Sequence, residues 1–468
     1  MSEDILTNIL IFKNQLWMED YAFRMEKWFN GEEIGPMRID AELHRRCNLN
    51  CRMCARRASP IDLTEESKRI EMNSKRWVEI VRESGEFNTR AWNISGLGEP
   101  MCKPQTLFAV MDMVKAYGMF GELTTNGTLW KEKYIKKAVE MSWDSICVSI
   151  DAPDAKTHDW QRRVKGTFKK ATQTVKSLRS WRDKLSSEVP CVTLNLVLNK
   201  LNYNKLPEMV KLAYELGADA VFVEPMIVYT DLGKELKMSK EEIEKLPHYM
   251  QRAKDLAEEY CIATTITCIT PTKKFQSELV EKTSEIREVL MEDAKKHSGD
   301  DTLSIPCYYP WFYLMIRADG SAIHCGECKN ISDNIRNKSL REVWFGPTLE
   351  EIRMGFRKGL PSYCRMCRPN VIEDMRELRR AIKRYKRTSY LQKKILELLK
   401  ENMDLKRQVF RLRTSKCLSK SESELIQKLR EQEKELKRFK ISLSYRFGKK
   451  IGDTRIGKKI KKFFGVYI

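Results

Sequence analysis

The chain of 468 residues has no apolar run near the eighteen or so residues that span a bilayer, which excludes an obvious membrane-crossing segment. Its opening residues, Met1 to Leu16, lack the basic-then-apolar pattern of a secretory signal, so a cytoplasmic protein is expected. Most of the chain also lacks excess charge. The formal net charge is +21, yet residues 371–468 hold 30 Lys and Arg against 12 Asp and Glu, leaving 56 against 53 in the first 370. The body therefore has no excess of basic residues with which to hold nucleic acid, and its work must rest on particular side chains. Length excludes a minimal binding module, and two or three units are expected.

What the chain does have is thiol. Fourteen cysteines in a reducing compartment are not expected to be disulfides, so clustered ones are first metal or redox ligands. Eight are clustered: Cys47, Cys51 and Cys54 in a Cys-x-x-x-Cys-x-x-Cys run, and Cys307, Cys325, Cys328, Cys364 and Cys367 late in the chain. The single cysteines at 102, 147, 191, 261, 268 and 417 read as ordinary small residues.

From residue 38, short β-rich runs alternate with amphipathic helical stretches. Strands are predicted at Arg38 to Leu43, Ala91 to Ser95, Phe120 to Thr124, Ser145 to Ile150, Val192 to Leu198 and Ala220 to Val223. Helices such as Asn73 to Ser84 and Leu206 to Leu216 lie between them. This alternation predicts an α/β fold with a parallel sheet of βαβ units, with its chemistry at the C-terminal ends of the strands. Ser239 to Asp300 reads as a charged helical linker. Leu391, Ile395, Leu398, Asn402, Leu405, Val409 and Leu412 follow a 4,3 spacing that predicts a coiled coil, with a solvated helix as the plainer alternative. The segments are thus 1–37, helical; 38–238, the core; 239–300, the linker; 301–370, cysteine-rich; 371–440, coiled coil; and 441–468, a basic tail.

Three thiolates within eight residues cannot complete a four-ligand zinc site locally, whereas an iron-sulfur cluster on three cysteines keeps one iron open. This run after a first strand resembles the radical S-adenosylmethionine (SAM) superfamily. Gly98, Glu99 and Pro100 follow the second strand as that family's Gly-Glu-Pro turn does, and Thr125, Asn126 and Gly127 follow the third. Ser149 and Asp151 end the fourth strand. The resemblance implies a partial (β/α)6 TIM-like barrel and a catalytic 4Fe-4S cluster on Cys47, Cys51 and Cys54. It implies SAM bound by Gly98, Glu99, Pro100, Asn126, Ser149, Asp151, Asn195 and one arginine. That arginine is Arg162 or Arg163, ahead of Gly166 and Phe168. Met53 departs from the aromatic residue usual before the third cysteine. An electron donor such as flavodoxin or ferredoxin is an implied partner.

The later cysteines resemble the SPASM or twitch extension that follows such cores. They imply one auxiliary 4Fe-4S cluster on Cys307, Cys325, Cys364 and Cys367, with Cys328 unassigned. A zinc ribbon on Cys325, Cys328, Cys364 and Cys367 is the competing pattern. The resemblance implies reductive cleavage of SAM to a 5′-deoxyadenosyl radical that abstracts hydrogen from a substrate. Glu224, ending the sixth strand, is a candidate substrate contact, with a salt bridge as its plainer role. The tail segment Ser442 to Lys449 resembles short motifs near the ends of coiled-coil-bearing bacterial glycosyltransferases of surface-polysaccharide pathways, which points to a sugar, nucleotide-sugar or glycan substrate. A peptide maturase and a non-catalytic metal-binding scaffold are the alternatives.

For the tail, membrane-surface or coiled-coil docking, including self-association, is the leading expectation, a solvated tail comes second, and nucleic acid trails both. A membrane role at the inner face of the cytoplasmic membrane requires that deleting 442–468 abolish co-sedimentation with anionic liposomes; unchanged partitioning would remove it.

Overall fold

Strand formation follows the apolar alternation. In this computed structural model the six expected strands appear in order as β1 (Arg38–Ala41), β2 (Ala91–Ile94), β3 (Phe120–Thr125), β4 (Ser145–Ser149), β5 (Cys191–Leu198) and β6 (Ala220–Pro225). The structure describes residues 15–58, 70–266, 283–325, 333–361, 364 and 370–387, with isolated positions at 427, 428, 431 and 434. The coiled-coil positions Leu391 to Leu412, the tail 441–468, and Cys268, Cys328, Cys367 and Cys417 lie outside the described residues. The chain divides into one unit of Met1–Lys115 with Met119–Lys383 and another of Ala116–Gly118 with Arg384–Ile468.

In the first unit, β1 to β6 pair in parallel with each neighbour in sequence order. Helices such as Ser74–Glu86, Thr167–Lys184 and Leu206–Leu216 make the crossovers. Right-handed crossovers between sequential neighbours wind the sheet one way, the geometry of a partial barrel. Ile39, Trp92, Ile94, Leu123, Ile146, Val148, Leu194, Leu196 and Val221 are all fully buried, at 0% exposure. Each such burial contributes roughly 1.5–3 kcal/mol, so this face holds the layers together. Alternation sends Arg38, Asp40, Asn93, Glu122, Ser149, Asn195 and Glu224 to the opposite face.

Four further strands extend the sheet beyond the sequence reading. The stretch read as a linker holds helices Lys240–Glu259 and Thr283–Lys295, and between them β7 (Ala263–Thr264) joins β6 in parallel. At the other edge β8 (Tyr313–Ile316) pairs in parallel with β1 and turns into β9 (Ser321–Ile323) and β10 (Asp333–Asn334). The cysteine-rich region is thus hydrogen-bonded into the sheet that carries the first cysteine run. Helix Asn370–Lys386 returns to it: Arg379 donates from Nε to the Leu303 carbonyl and from Nη2 to that of Ile305, both at 2.9 Å.

One buried ion pair fixes a crossover. Arg182, on helix Thr167–Lys184, reaches Asp219 at 2.5 and 3.2 Å, and Asp219 also accepts from the Val192 amide at 2.7 Å at the start of β5. Asp219→Ala strands a buried guanidinium and should cost about 3–5 kcal/mol in urea unfolding. A loss below about 1 kcal/mol, the value of an exposed pair, would contradict this account.

Candidate active site

The cysteine run occupies the loop after β1, folded over an apolar patch. Leu49, Cys51, Met53 and Leu236 are buried together, and Cys47, Cys54, Val197, Leu201 and Met226 pack against them. All three cysteines thus share one cluster. Among the described residues no three His, Cys, Asp or Glu side chains converge as ligands of a single ion would. A cubane is held differently, one thiolate to each of three irons, so its ligands need not meet at a point. Burial pushes the Cys47 thiol up to about 12 and raises that of Cys51, outweighing the opposing pull of Arg162 on Cys51.

Glu99 ties three loops together. Its Oε1 accepts from the Thr125 hydroxyl at 2.6 Å and the Met101 amide at 3.1 Å, and its Oε2 accepts from the Asn126 amide at 2.7 Å. The Glu99 amide donates to the Arg46 carbonyl at 2.7 Å. Asn126 Nδ2 donates to Asn48 Oδ1 at 2.9 Å, and Asn48 Nδ2 donates to the Thr128 hydroxyl at 2.8 Å. The Gly-Glu-Pro turn, the Thr-Asn-Gly turn and the cysteine loop are therefore one hydrogen-bonded body. Asn48 and Thr128 are parts of it that sequence reasoning missed, since neither belongs to a recognisable motif. Burial raises the Glu99 carboxyl despite its three donors. Two oxygens offer about four lone-pair sites, so Glu99 can still accept from an ammonium.

Gly98 permits this approach. A Cβ there would lie 2.1 Å from the His44 carbonyl oxygen, inside any allowed contact. Gly127, at φ +72°, would set a Cβ 2.8 Å from Val148.

Arg162 and Arg163 separate cleanly. The Arg162 Nε stands 2.6 Å from Asp151 Oδ2, and its Nη1 donates to Cys51 Sγ at 3.7 Å. Arg163 is exposed, in the left-handed region at φ +58°. Asp151 is fully buried, and its other oxygen accepts from the Val197 amide at 3.2 Å. Asp151 thus anchors Arg162 beside the cysteine loop. Beside them His158 accepts from the Asp151 amide, and burial, aided by Arg162, lowers it to about 4, leaving a neutral ring. Ser149 and Asn195 are register partners on β4 and β5. Among the described residues the buried Asn195 Oδ1 has no hydrogen-bond partner, an acceptor left for something else.

The opposite face of the sheet is polar. Arg38 pairs with Asp40 at 2.6 Å and with Glu122 at 3.1 Å, while Asn93 Nδ2 and the Tyr313 hydroxyl donate to Asp40 Oδ2 at 3.0 and 3.1 Å. Glu224 lies close enough to Glu122 to help raise its carboxyl, after burial. Tyr309 and Tyr313 rings stand 5.5 Å apart, and Cys307 and Cys325 both act on the Tyr309 hydroxyl. Tyrosines therefore lie between the second cysteine group and the polar face. Cys364 is described nearby in sequence only, its amide donating to the Pro361 carbonyl at 3.0 Å.

A three-cysteine loop, a Gly-Glu-Pro turn, an Asn-Gly turn and an arginine at the C-terminal edge of one parallel sheet define a class, and comparison names it. Residues 42–213 match the Radical SAM superfamily, and residues 307–368 match SPASM, an iron-sulfur cluster-binding domain. The chain belongs to the radical SAM superfamily: it is an enzyme with a SAM-binding core and a C-terminal SPASM domain, and its cofactors are SAM and 4Fe-4S clusters. It is 26% identical over 310 residues to an AdoMet-dependent heme synthase of Methanosarcina barkeri, covering 66% of this chain and 82% of that one. It is 30% identical over 186 residues to a PqqA peptide cyclase of Gluconobacter oxydans, covering 40% of this chain and 48% of that one. In structure it resembles Streptococcus suis SuiB bound to precursor peptide SuiA, with a TM-score of 0.52, 16% identity and 73% of each chain covered. No helix among the described residues is long and apolar enough to cross a membrane.

Glu122 supplies a pH test. Its folded carboxyl is held above the ordinary range by burial, so its ionisation destabilises the fold: stability falls as pH rises from about 4.3 through the folded value. Glu122→Gln carries no such charge. Its stability relative to the parent should grow with pH above about 4 in denaturant unfolding, and a pH-independent difference would refute the burial argument.

Proposed function

We propose that the chain uses radical SAM chemistry on a hydroxyl- or amine-bearing substrate held against the polar face of the sheet, a sugar, nucleotide sugar or glycan fitting best. One observation carries the first half: the hydrogen-bonded body around Glu99 joins the cysteine loop to both turns. When bound and reduced by one electron, the cluster and SAM supply a 5′-deoxyadenosyl radical that removes a hydrogen atom from the substrate. Cys47, Cys51 and Cys54 would hold that cluster. Glu99 would accept the methionyl ammonium, Arg162 would face its carboxylate, and Ser149 and Asn195 would offer hydrogen bonds to the ribose. Cys307, Cys325, Cys364 and Cys367 would hold one auxiliary cluster.

The substrate class rests on charge. Asp40, Glu122 and Glu224 outnumber Arg38 on this face, an excess of acceptors for the hydroxyl or ammonium groups of a sugar. Asn93 adds a buried Oδ1 with no hydrogen-bond partner among the described residues. The second reading is a peptide substrate, favoured by the likeness to PqqA peptide cyclases.

Anaerobically reconstituted protein should carry roughly eight irons with matching sulfide, falling to roughly four in Cys364→Ala. Zinc in colourless protein would overturn the auxiliary assignment. Reductant-dependent 5′-deoxyadenosine should form and vanish in Cys51→Ala; its absence from the parent would refute the reading. Deuterium should pass into 5′-deoxyadenosine from a deuterated nucleotide sugar, and transfer from a peptide alone would replace the sugar reading with the peptide one.

A further inference from the structure

We infer that Arg52, Trp160 and the segment 163–170, a turn and the first residues of helix Thr167–Lys184, form the docking face for a small acidic electron-transfer protein, an inference that rests on the reductive chemistry proposed above. The first argument is position. Arg52 follows Cys51, its amide donates to the Gln161 carbonyl at 2.9 Å, and its guanidinium stacks 3.8 Å over the Trp160 ring. With Arg162 reaching Cys51, the C-terminal turn of helix Ala155–Arg162 clasps the cysteine loop from outside. Through Arg162 this surface touches the buried Cys51 thiol directly.

The second argument is composition. Trp160 is 42% and Val164 38% exposed, two of only six large hydrophobic side chains exposed among the described residues. No acidic residue occurs between Asp159 and Asp183. Arg163, Lys165, Lys169 and Lys170 are exposed, and none forms an ion pair among the described residues. On a body of nearly balanced charge this is a local cationic rim around an apolar centre, the make-up of an interface for an acidic partner.

The third argument is rigidity. The Asp159 carboxylate accepts from the Gly166 amide at 2.6 Å, the Thr167 hydroxyl at 2.7 Å and the Phe168 amide at 2.8 Å. These bonds hold the segment in one shape, so docking need not order it. The exchange is one electron: the partner's reduced cofactor loses it, the cluster gains it, and no atom is transferred. A small interface with fast exchange suits such a partner.

The test titrates acidic, oxidised flavodoxin into the anaerobically reconstituted holoenzyme by calorimetry. Combined Lys165→Glu, Lys169→Glu and Lys170→Glu should raise Kd about tenfold or more at low ionic strength and remove the weakening by salt seen in the parent. Lys→Gln at the same three positions should shift Kd in the same direction by less. Dithionite-driven 5′-deoxyadenosine formation should stay at the parental level in both, because a small reductant needs no docking face. Unchanged Kd and salt dependence in either set overturns the surface, whereas loss of dithionite-driven product in the parent would instead overturn the proposed function.

Discussion

Parallel pairing in sequence order is the constraint on which the rest depends. Because β1 to β6 all run the same way, every loop that leaves a strand's C-terminal end emerges at one edge. The cysteine loop after β1, Glu99 after β2, Asn126 after β3, Asp151 after β4 and the end of β6 at Glu224 are brought together by that fact alone. An antiparallel neighbour would send alternate loops to opposite edges. The apolar face under the helices supplies the energy, and the loops are free to carry polar residues that add little to stability.

The polar face has a different energetic standing. A buried ion pair is weak support for a fold, because desolvation offsets most of its attraction. Arg38 on β1 nevertheless pairs with Asp40 on its own strand and with Glu122 on β3, across Asn93 of the intervening β2, and Glu224 adds like charge nearby. Apolar residues of similar volume would serve stability as well. The retention of charge there is a reason to look for a ligand on this face rather than on the helical side.

The strands beyond the first six explain what the sequence showed and what it hid. Runs such as Leu123 or Val221 with their apolar neighbours are long enough to carry a period, so β1 to β6 were legible, and β4 and β5 lie within a residue of their expected bounds. β7 and β10 have two residues each, and their pairing is decided by what lies beside them, not by propensity. β8, lying in the cysteine-rich segment, gave no sign of pairing with a strand some 270 residues earlier. The motif residues were legible because a Gly-Glu-Pro or Thr-Asn-Gly turn is short and local. Asn48, Thr128 and the Asp151 to Arg162 pair were not, since each works through a contact that only folding creates.

The joining of β8 to β1 has a chemical consequence. Tyr313 on β8 donates to Asp40 on β1, and Arg45, just ahead of the first cysteine run, reaches Asp319 in the β8–β9 turn at 3.1 Å. Two ties of opposite chemistry, one on the polar face and one at the loop, thus fix the second cysteine region against the first strand. A tethered domain would have let the distance between the two cysteine groups vary. Sheet hydrogen bonds hold it constant instead, and a process that passes a substrate's electron from one group's neighbourhood to the other depends on that constancy. The same rigidity fixes Tyr313, whose ring stands 5.5 Å from that of Tyr309, against Asp40 on the polar face.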